Sequence, residues 1–354
     1  MLRAIGLMSG TSLDGVDAAL VETDGAAVGR LGPALTLPYD DGLRAELRHL
    51  LDLAPGLAPD DARVAEAAER LTRVHAQAVA ALGVAADIVG FHGQTILHRP
   101  AERRTWQIGD AALLARLTLL PVAHDFRAAD VASGGEGAPL APVFHAALAA
   151  GLERPLAVLN IGGVANLTWL GADGTLLACD TGPGNGPLDD WVQRHSGAAF
   201  DRDGALAGAG REDAAVLGRL LAEPYFARPM PKSLDRLDFA RALAASGLAA
   251  LSAADGAATL VAFIAEAVAR TTLPAAPRRW LVTGGGRHNP AIMAALRRRL
   301  GTVEPVEAAG WDGDALEAQC FAVLAVRVRR GLPLSFPGTT GVAAPLTGGR
   351  IAVP

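Results

Sequence analysis

Three glycine-rich runs are placed where they could hold an anion: GTSLDG at 10–15, DTGPGN at 180–185 and GGG at 284–286, each behind an apolar, strand-like segment. Bare backbone N–H groups in such turns bind phosphate or carboxylate. Turns of this composition are also ordinary hairpin and strand-to-helix punctuation. One run alone therefore says little, and three in one chain point to a bound phosphate. Asp180 opens the second run, and a carboxylate at a strand end is held rigidly enough to act as a base. An Asp there can equally cap its own turn. Asp14, in the first run, is the rival carboxylate and suits a metal-bound water or the turn itself. Two familiar phosphate motifs are excluded. GxxxxGK[ST] needs a lysine after glycine, and the lysine of this chain, Lys232 in MPKSLD, has no glycine just before it. Neither GTSLDG nor GPGNGP gives the GxGxxG of a dinucleotide fold.

The elements that must carry these runs follow from periodicity. Ile5 and Leu7 before the first run, and Val16, Ala18 and Leu20 after it, alternate with period two, which predicts a hairpin. PLAVLNIGGVANLTWL repeats the arrangement, with Gly162 and Gly163 at its tip and the strand TLLACD after it. Two glycine-tipped hairpins, each followed by helical sequence, predict an internal duplication into two similar lobes with the site in the cleft between them. Residues 40–83 have helical spacing, ADIVGFHGQT reads as a buried strand, TWQIGD and LPVAHDFR as short strands, and APLAPVFHAALAAGL as a helix ending at Gly151 and linking the lobes. RWLVTGGGRHNPAIMAALRRRL reads as strand, glycine turn and helix, with Asn289 as N-cap and Pro290 in the first turn. The tail GLPLSFPGTTGVAAPLTGGRIAVP is expected to lie over the body as a loop. The expected division is 1–130 and 131–354, in an α/β fold.

Composition narrows the partners. The 354 residues are 51% hydrophobic and 19% charged, with a net charge of −5. No basic field favours nucleic acid or an anionic membrane, so a small-molecule partner is expected. ATLVAFIAEAVAR is interrupted by Glu266 and too short to span a bilayer, which makes it a buried helix. LRRRL and VRVRR suit helix C-termini. Cys179 and Cys320 have no metal-ligand spacing, and MLRAIGLMSG lacks the long apolar core of a secretion signal, so a reducing cytoplasm is expected.

Hairpin loops from two lobes, with a strand, GGG and a helix over the nucleoside, resemble the actin, hexokinase and Hsp70 superfamily, of ribonuclease H-like lobes. More specifically, GLMSGTSLDGVDAAL, FHGQTILHRP, DFRAADVASGGEGAPLAP, LNIGGVANLT, DTGPGN and VTGGGRHNP, in this order and spanning nearly the whole chain, resemble the anhydro-N-acetylmuramic acid kinase family. The resemblance implies hydrolytic opening of the 1,6-anhydro ring with phosphorylation of O6 from ATP and Mg2+, giving N-acetylmuramic acid 6-phosphate in peptidoglycan recycling, by a protein that tends to be a homodimer. It implies Asp180 as base and the loop Gly10, Thr11, Ser12, Leu13, Asp14, Gly15, Val16 and Asp17 as phosphate cradle, with Asp14 holding the metal through water; Asp17 also reads as a strand residue. Gly162, Gly163, Asn166, Gly182 and Gly184 are expected as the opposing jaw, and Gly284, Gly285 and Gly286 against the adenosine. Arg127 suits the lactyl carboxylate or a phosphate, or else an ion pair with Asp125 or Asp130. Gln94 and Thr95 are expected on sugar hydroxyls. Glu317 is expected in the cleft or on a helix surface, and His92 as a buried structural residue. The chain departs from the family pattern PKSTGRE with PKSLDRLD, where Leu234 and Asp235 replace a hydroxyl residue and glycine, which bears on sugar preference. The alternative is an actin-like ATPase, a phosphatase, or a nucleotide-regulated binding module acting on another partner.

Overall fold

The computed structural model describes residues 1–10, 13–58, 60–234 and 239–354. Strands β1 (Leu2–Ser9) and β2 (Gly15–Thr23) pair antiparallel, as the alternation predicts, and β3 (Val28–Pro38) extends the meander. The helically spaced stretch forms α1 (Asp41–Leu53) and α2 (Ala62–Leu82). Asp40 and Asp61 cap them by accepting from Leu43 N and Arg63 N. There follow β4 (Ile88–Arg99), β5 (Arg104–Ile108), α3 (Ala111–Thr118), β6 (Val122–His124), α4 (Ala128–Ala132) and α5 (Pro142–Leu148). The second half begins with β7 (Leu156–Ile161), β8 (Val164–Leu170) and β9 (Leu176–Pro183). It continues through α6 (Asn185–Ser196), α7 (Ala205–Gly208), α8 (Ala214–Leu221), α9 (Ala240–Ala245), α10 (Ala253–Ala269), β10 (Arg279–Thr283), α11 (Pro290–Leu300) and β11 (Val303–Pro305). The chain closes with α12 (Leu316–Arg329), α13 (Pro337–Thr340) and β12 (Arg350–Ala352).

The duplication is visible in the wiring. One sheet runs β3-β2-β1-β4-β6-β12, with β5 on β4, and the other runs β9-β8-β7-β10-β11. In each, three antiparallel strands are followed by two that run parallel to the first, β4 and β6 in one and β10 and β11 in the other. Strand–helix–strand crossovers of this kind bury both faces of the parallel strands.

The chain forms two compact units, 1–150 with 315–354, and 151–314. This differs from a boundary at 130 with everything after it in the second lobe, and packing explains why. Helix α12 lies flat on the first sheet, so close that a Cβ on Gly6 would stand 1.8 Å from Ala318 O and one on Gly90 2.1 Å from Phe321 O. Only glycine permits that approach. The tail, expected as a loop, contributes α13 and pairs β12 antiparallel to β6, with Arg350 opposite His124. Each unit has its own core: Ile5, Leu7, Leu47, Leu71 and Val89 in the first, Leu159, Trp191, Phe263, Val282 and Leu296 in the second. Helix α10 is buried along most of its length, as its composition predicts. Among the described residues no helix is long and apolar enough to cross a membrane.

Candidate functional site

In the first unit the hairpin loop is fixed at its ends. Of the residues assigned to the cradle, Thr11 and Ser12 lie outside the described residues. Leu13 takes a positive φ of 56° and is 1% exposed, so its side chain anchors the loop in the core. A non-glycine residue in that region is held only where the surroundings determine it. Arg44 Nε donates to Leu13 O at 2.9 Å, and Tyr39 N donates to Asp14 O. Val16 is fully buried, and Asp17 is a strand residue that accepts from Thr36 Oγ1. A Cβ on Gly15 would meet Leu37 O at 2.4 Å, which explains that glycine by packing. Gly10 is part-buried and the Asp14 side chain is exposed.

Gln94 requires a correction. It was expected on sugar hydroxyls, but it is fully buried and its amide is engaged within the protein. Ser9 Oγ donates to Gln94 Oε1 at 2.5 Å, Tyr39 OH donates to Ser9 Oγ at 2.7 Å, and Gln94 Nε2 donates to Thr95 O at 3.2 Å. Gln94 thus ties the residue that opens the glycine loop to the backbone of Thr95. Thr95 itself lies opposite Gln107 in β5 and accepts from Gln107 Nε2 at 3.2 Å. A cavity of about 210 Å³ adjoins this strand pair, lined by His92, Gly93, Thr105, Gln107, His124 and Asp125 among others.

Arg127 is oriented by a histidine. The Gly93 carbonyl, an acceptor only, lies 2.8 Å from His92 Nδ1, so Nδ1 carries the proton and Nε2 is left to accept from Arg127 Nε at 2.9 Å. Burial, and then the Arg127 cation, push the imidazole well below its ordinary value. His92 is therefore neutral and structural, as expected. Arg127 Nη1 also donates to Gly137 O at 2.8 Å. Asp125 pairs with Arg350, while the buried Asp130 accepts from Gly137 N and Thr340 Oγ1. Glu317 is exposed in the first turn of α12, and it and Arg127 act in opposite directions on the buried Cys320 thiol. Their charges therefore share one neighbourhood. Burial pushes both Cys320 and Cys179 up to about 12, and both are free.

In the second unit the register lines up four polar residues across the sheet: Thr283 opposite Asn160, Asn160 opposite Asn166, and Asn166 opposite Asp180. Cross-strand partners share a face. The DTGPGN run, expected as a loop opened by Asp180, instead continues β9 to Pro183, because Gly182 still pairs with Ala165. Thr181 is the extra residue of a bulge between those pairs, the kind of irregularity that re-aims a neighbouring side chain. The Asp180 carboxylate reaches a distant part of the chain: Oδ2 accepts from Leu234 N at 2.8 Å, 54 residues away. Asp180 N donates to Lys232 O, and Tyr225 OH donates to Asp180 O at 2.7 Å. The chain around 225–234 thus borders the end of β9 and fixes Asp180. Leu234 does this through its backbone, and its side chain packs on the core, so the loss of a hydroxyl at this position leaves the contact intact. Asp235 and Arg236 lie outside the described residues. Lys232 is 5% exposed, its Nζ donating to Tyr225 O and lying 4.4 Å from the Tyr225 ring centroid.

The glycines of this unit divide into two kinds. A Cβ would strike Gly162 O at 2.2 Å from Gly184, Asn160 Oδ1 at 2.3 Å from Gly284, Ile161 Cγ2 at 2.4 Å from Gly286, and Ala267 Cβ at 3.0 Å from Gly182. Internal packing accounts for these four. At Gly163 a Cβ would meet nothing within 4 Å, at Gly162 only Val164 O at 3.7 Å, and at Gly285 only Asn185 Nδ2 at 3.4 Å. The fold does not require glycine at those three, and each bares backbone. The runs are laced together, with Gly184 N donating to Gly163 O and Asn185 N to Gly162 O. Asn185 begins α6, and its Oδ1 is a buried acceptor with no partner among the described residues. A ligand donor fits that atom, and the uncovered backbone admits an anion or a flat ring. Sequence reasoning missed Asn160, Asn185, Tyr225 and the Leu234 amide; Asn185 alone carried a signal, as the last residue of DTGPGN. Among the described residues no group of three or more His, Cys, Asp or Glu could hold a metal.

A family model described as anhydro-N-acetylmuramic acid kinase matches residues 2–353. A protein of that name from Acidiphilium cryptum (strain JF-5) is 69% identical over 354 residues, covering 100% of this chain and 99% of its own. Those of Gluconobacter oxydans (strain 621H) and Rhodospirillum rubrum (strain ATCC 11170) are 59% and 58% identical, covering 99% and 98% of this chain and 99% and 93% of their own.

Proposed function

Since the chain belongs to the anhydro-N-acetylmuramic acid kinase family, and is a sugar phosphotransferase with it, we propose that Asp180 is the base of a reaction in which water opens the 1,6-anhydro ring and O6 takes the γ-phosphoryl group of ATP. The reading is supported most by Asp180 itself: a carboxylate at the end of a polar row, braced by Lys232, Tyr225 and Leu234, beside glycines that the fold does not need. The Asp180 carboxylate takes a proton from water as its oxygen bonds to C1. The C1–O6 bond breaks, O6 bonds to phosphorus, and the phosphorus–oxygen bond to ADP breaks. ATP supplies the phosphoryl group, and Mg2+ supplies positive charge against its phosphates.

The residues fit those groups. Gly162, Gly163 and Gly285 give close backbone approach, and Asn185 Oδ1 gives a buried acceptor for the nucleotide. The loop at 10–15 binds phosphate through its amides, Gly182 and Gly184 shape the jaw, and Asn166 supports it. Asp14, an exposed single carboxylate, suits an ion that keeps most of its water. On the sugar side, Arg127 takes the lactyl carboxylate, and Thr95 and Glu317 take hydroxyls. We place the enzyme in the cytoplasm as a homodimer serving peptidoglycan recycling, with lobes that close on binding. Mass analysis of the product tests the reading. Sugar that gains one water and one phosphoryl group together, with equimolar ADP, supports it; phosphorylated sugar with the ring intact, or ADP with free phosphate, overturns it.

A further inference from the structure

The chain that borders the end of β9 also walls a cavity of about 320 Å³ against the end of α10, lined chiefly by Phe226, Arg228, Met230, Lys232, Thr271 and Thr272. All of these residues belong to the second unit. The cavity is separate from the polar row. Asp180 pairs with Asn166 and Gly182 with Ala165, and those adjacent residues of β8 face opposite sides of the sheet. A Cβ on Gly182 would stand 3.0 Å from Ala267 Cβ of α10 and 3.3 Å from Phe226 Cε1. The Phe226 wall therefore lies on the α10 side of the sheet, and the row that ends at Asp180 lies on the other.

Two cations share this cavity. Lys232 Nζ stands 4.4 Å from the Tyr225 ring centroid and donates to Tyr225 O at 3.1 Å, and Arg228 Cζ stands 5.6 Å from the same centroid. Among the described residues neither cation forms an ion pair with a carboxylate. A buried ammonium has three protons to place, and the Tyr225 carbonyl takes one. Burial holds Lys232 below its ordinary value, and the Arg228 cation adds to that effect. Like charges in one low-dielectric pocket are costly until a counter-charge joins them. The end of α10 does not supply it. Its last carbonyls accept from Arg270 N, Thr271 N and Thr271 Oγ1, and the half charge of a helix end is smaller than two full cations.

We propose that this cavity is a second anion site, which takes the phosphoryl group of a small phosphate ester or of free phosphate. The Lys232 ammonium and the Arg228 guanidinium supply the charge, and the Thr272 hydroxyl donates to a remaining oxygen. Phe226 and Met230 give the body of an ester an apolar wall, and the volume lies in the range that holds a small organic molecule. Lys232 O accepts from Asp180 N, and Tyr225 OH donates to Asp180 O. An occupant of the cavity thus bears on the two residues that hold the strand end at Asp180.

The test is calorimetry on the full chain saturated with ADP and Mg2+, which fill the nucleotide site that a phosphoryl group would otherwise enter. The titrants are glucose 6-phosphate, inorganic phosphate and glucose. One equivalent of the ester is expected to bind with a Kd below about 1 mM, and glucose is expected not to bind. Tighter binding of the ester than of phosphate assigns the site to esters, and equal binding assigns it to free phosphate. Arg228 is exposed, so Arg228→Gln keeps the fold. It is expected to weaken both phosphate compounds about tenfold and to leave ADP affinity unchanged. Lys232→Gln is expected to weaken them further. Arg228 takes no part in the nucleotide assignments, so the two layers fail separately: if ADP does not bind, a phosphate Kd that still depends on Arg228 keeps the cavity as a site. Absence of binding by both phosphate compounds, equal binding of glucose, or affinities unchanged in Arg228→Gln overturns the proposal.

Discussion

Lowering the pH from 7 to 5 should destabilise the first unit through histidines that folding buries without charge. Burial holds His75 and His145 at about 4, against an ordinary value near 6.5. The sign follows from proton counting. Between those values the unfolded chain binds a proton that the folded chain refuses, so stability is intact above about pH 6.5 and falls as the pH drops toward 4. At pH 5 each site costs RT ln[(1 + 10^1.5)/(1 + 10^−1)], about 2 kcal/mol, and the pair about 4 kcal/mol. His92, pushed further down by burial and the Arg127 cation, adds to this. For a unit of this size the pair corresponds to a fall in melting temperature of roughly 10 °C. Calorimetric melting of the native protein and of His75→Gln at both pH values provides the assay. The variant should lose about half of the pair's pH dependence even if it starts from a lower stability. Equal melting temperatures at pH 5 and 7, or full pH dependence in His75→Gln, would refute the reasoning. The consequence reaches the site, since a proton on His92 Nε2 would occupy the atom that accepts from Arg127.

Other outcomes follow from packing. Gly6→Ala drives a methyl group into the Ala318 carbonyl of α12 and should cost about 3 kcal/mol or more in urea denaturation, whereas a well-tolerated substitution would contradict the close helix–sheet contact. Gly163→Val meets nothing within 4 Å and should change stability by less than about 0.5 kcal/mol while raising the KM for ATP about tenfold. An unchanged KM would remove Gly163 from the nucleotide jaw. Gln94→Leu should cost about 1–3 kcal/mol and raise the KM for ATP and sugar together, because Ser9 and Thr95 lose their common tie. A rise for sugar alone, with stability kept, would return Gln94 to the substrate.

How far the sequence spoke depends on the range of the determinant. Both hairpins, the strand before GGG and the Asn289 cap are local events, set by alternation and one capping side chain, and they stand as read. The return of α12 to the first sheet was hidden because its apolar residues face several directions and name no partner; the complementary signal, Gly6 and Gly90, lies hundreds of residues away. The DTGPGN run misled because Gly and Pro usually punctuate, while here the strand pairing carries them onward. Gln94 and Thr95 look alike as polar neighbours, and only burial shows that one binds the protein itself. Asp180 was legible as a candidate. The backbone amide that braces it was not, since a main-chain donor leaves no mark in residue type.

The account stands most directly on Asp180. Asp180→Asn keeps an acceptor for the Leu234 amide and removes the basic carboxylate, so binding and fold should survive while proton removal does not. The measurement is sugar-dependent ADP and sugar-phosphate release from ATP, Mg2+ and anhydro-N-acetylmuramic acid, beside ADP and sugar affinity in both proteins. The account predicts turnover that falls at least about a hundredfold in the variant with both affinities retained. Turnover within a few-fold of the native protein would contradict it and place the base elsewhere.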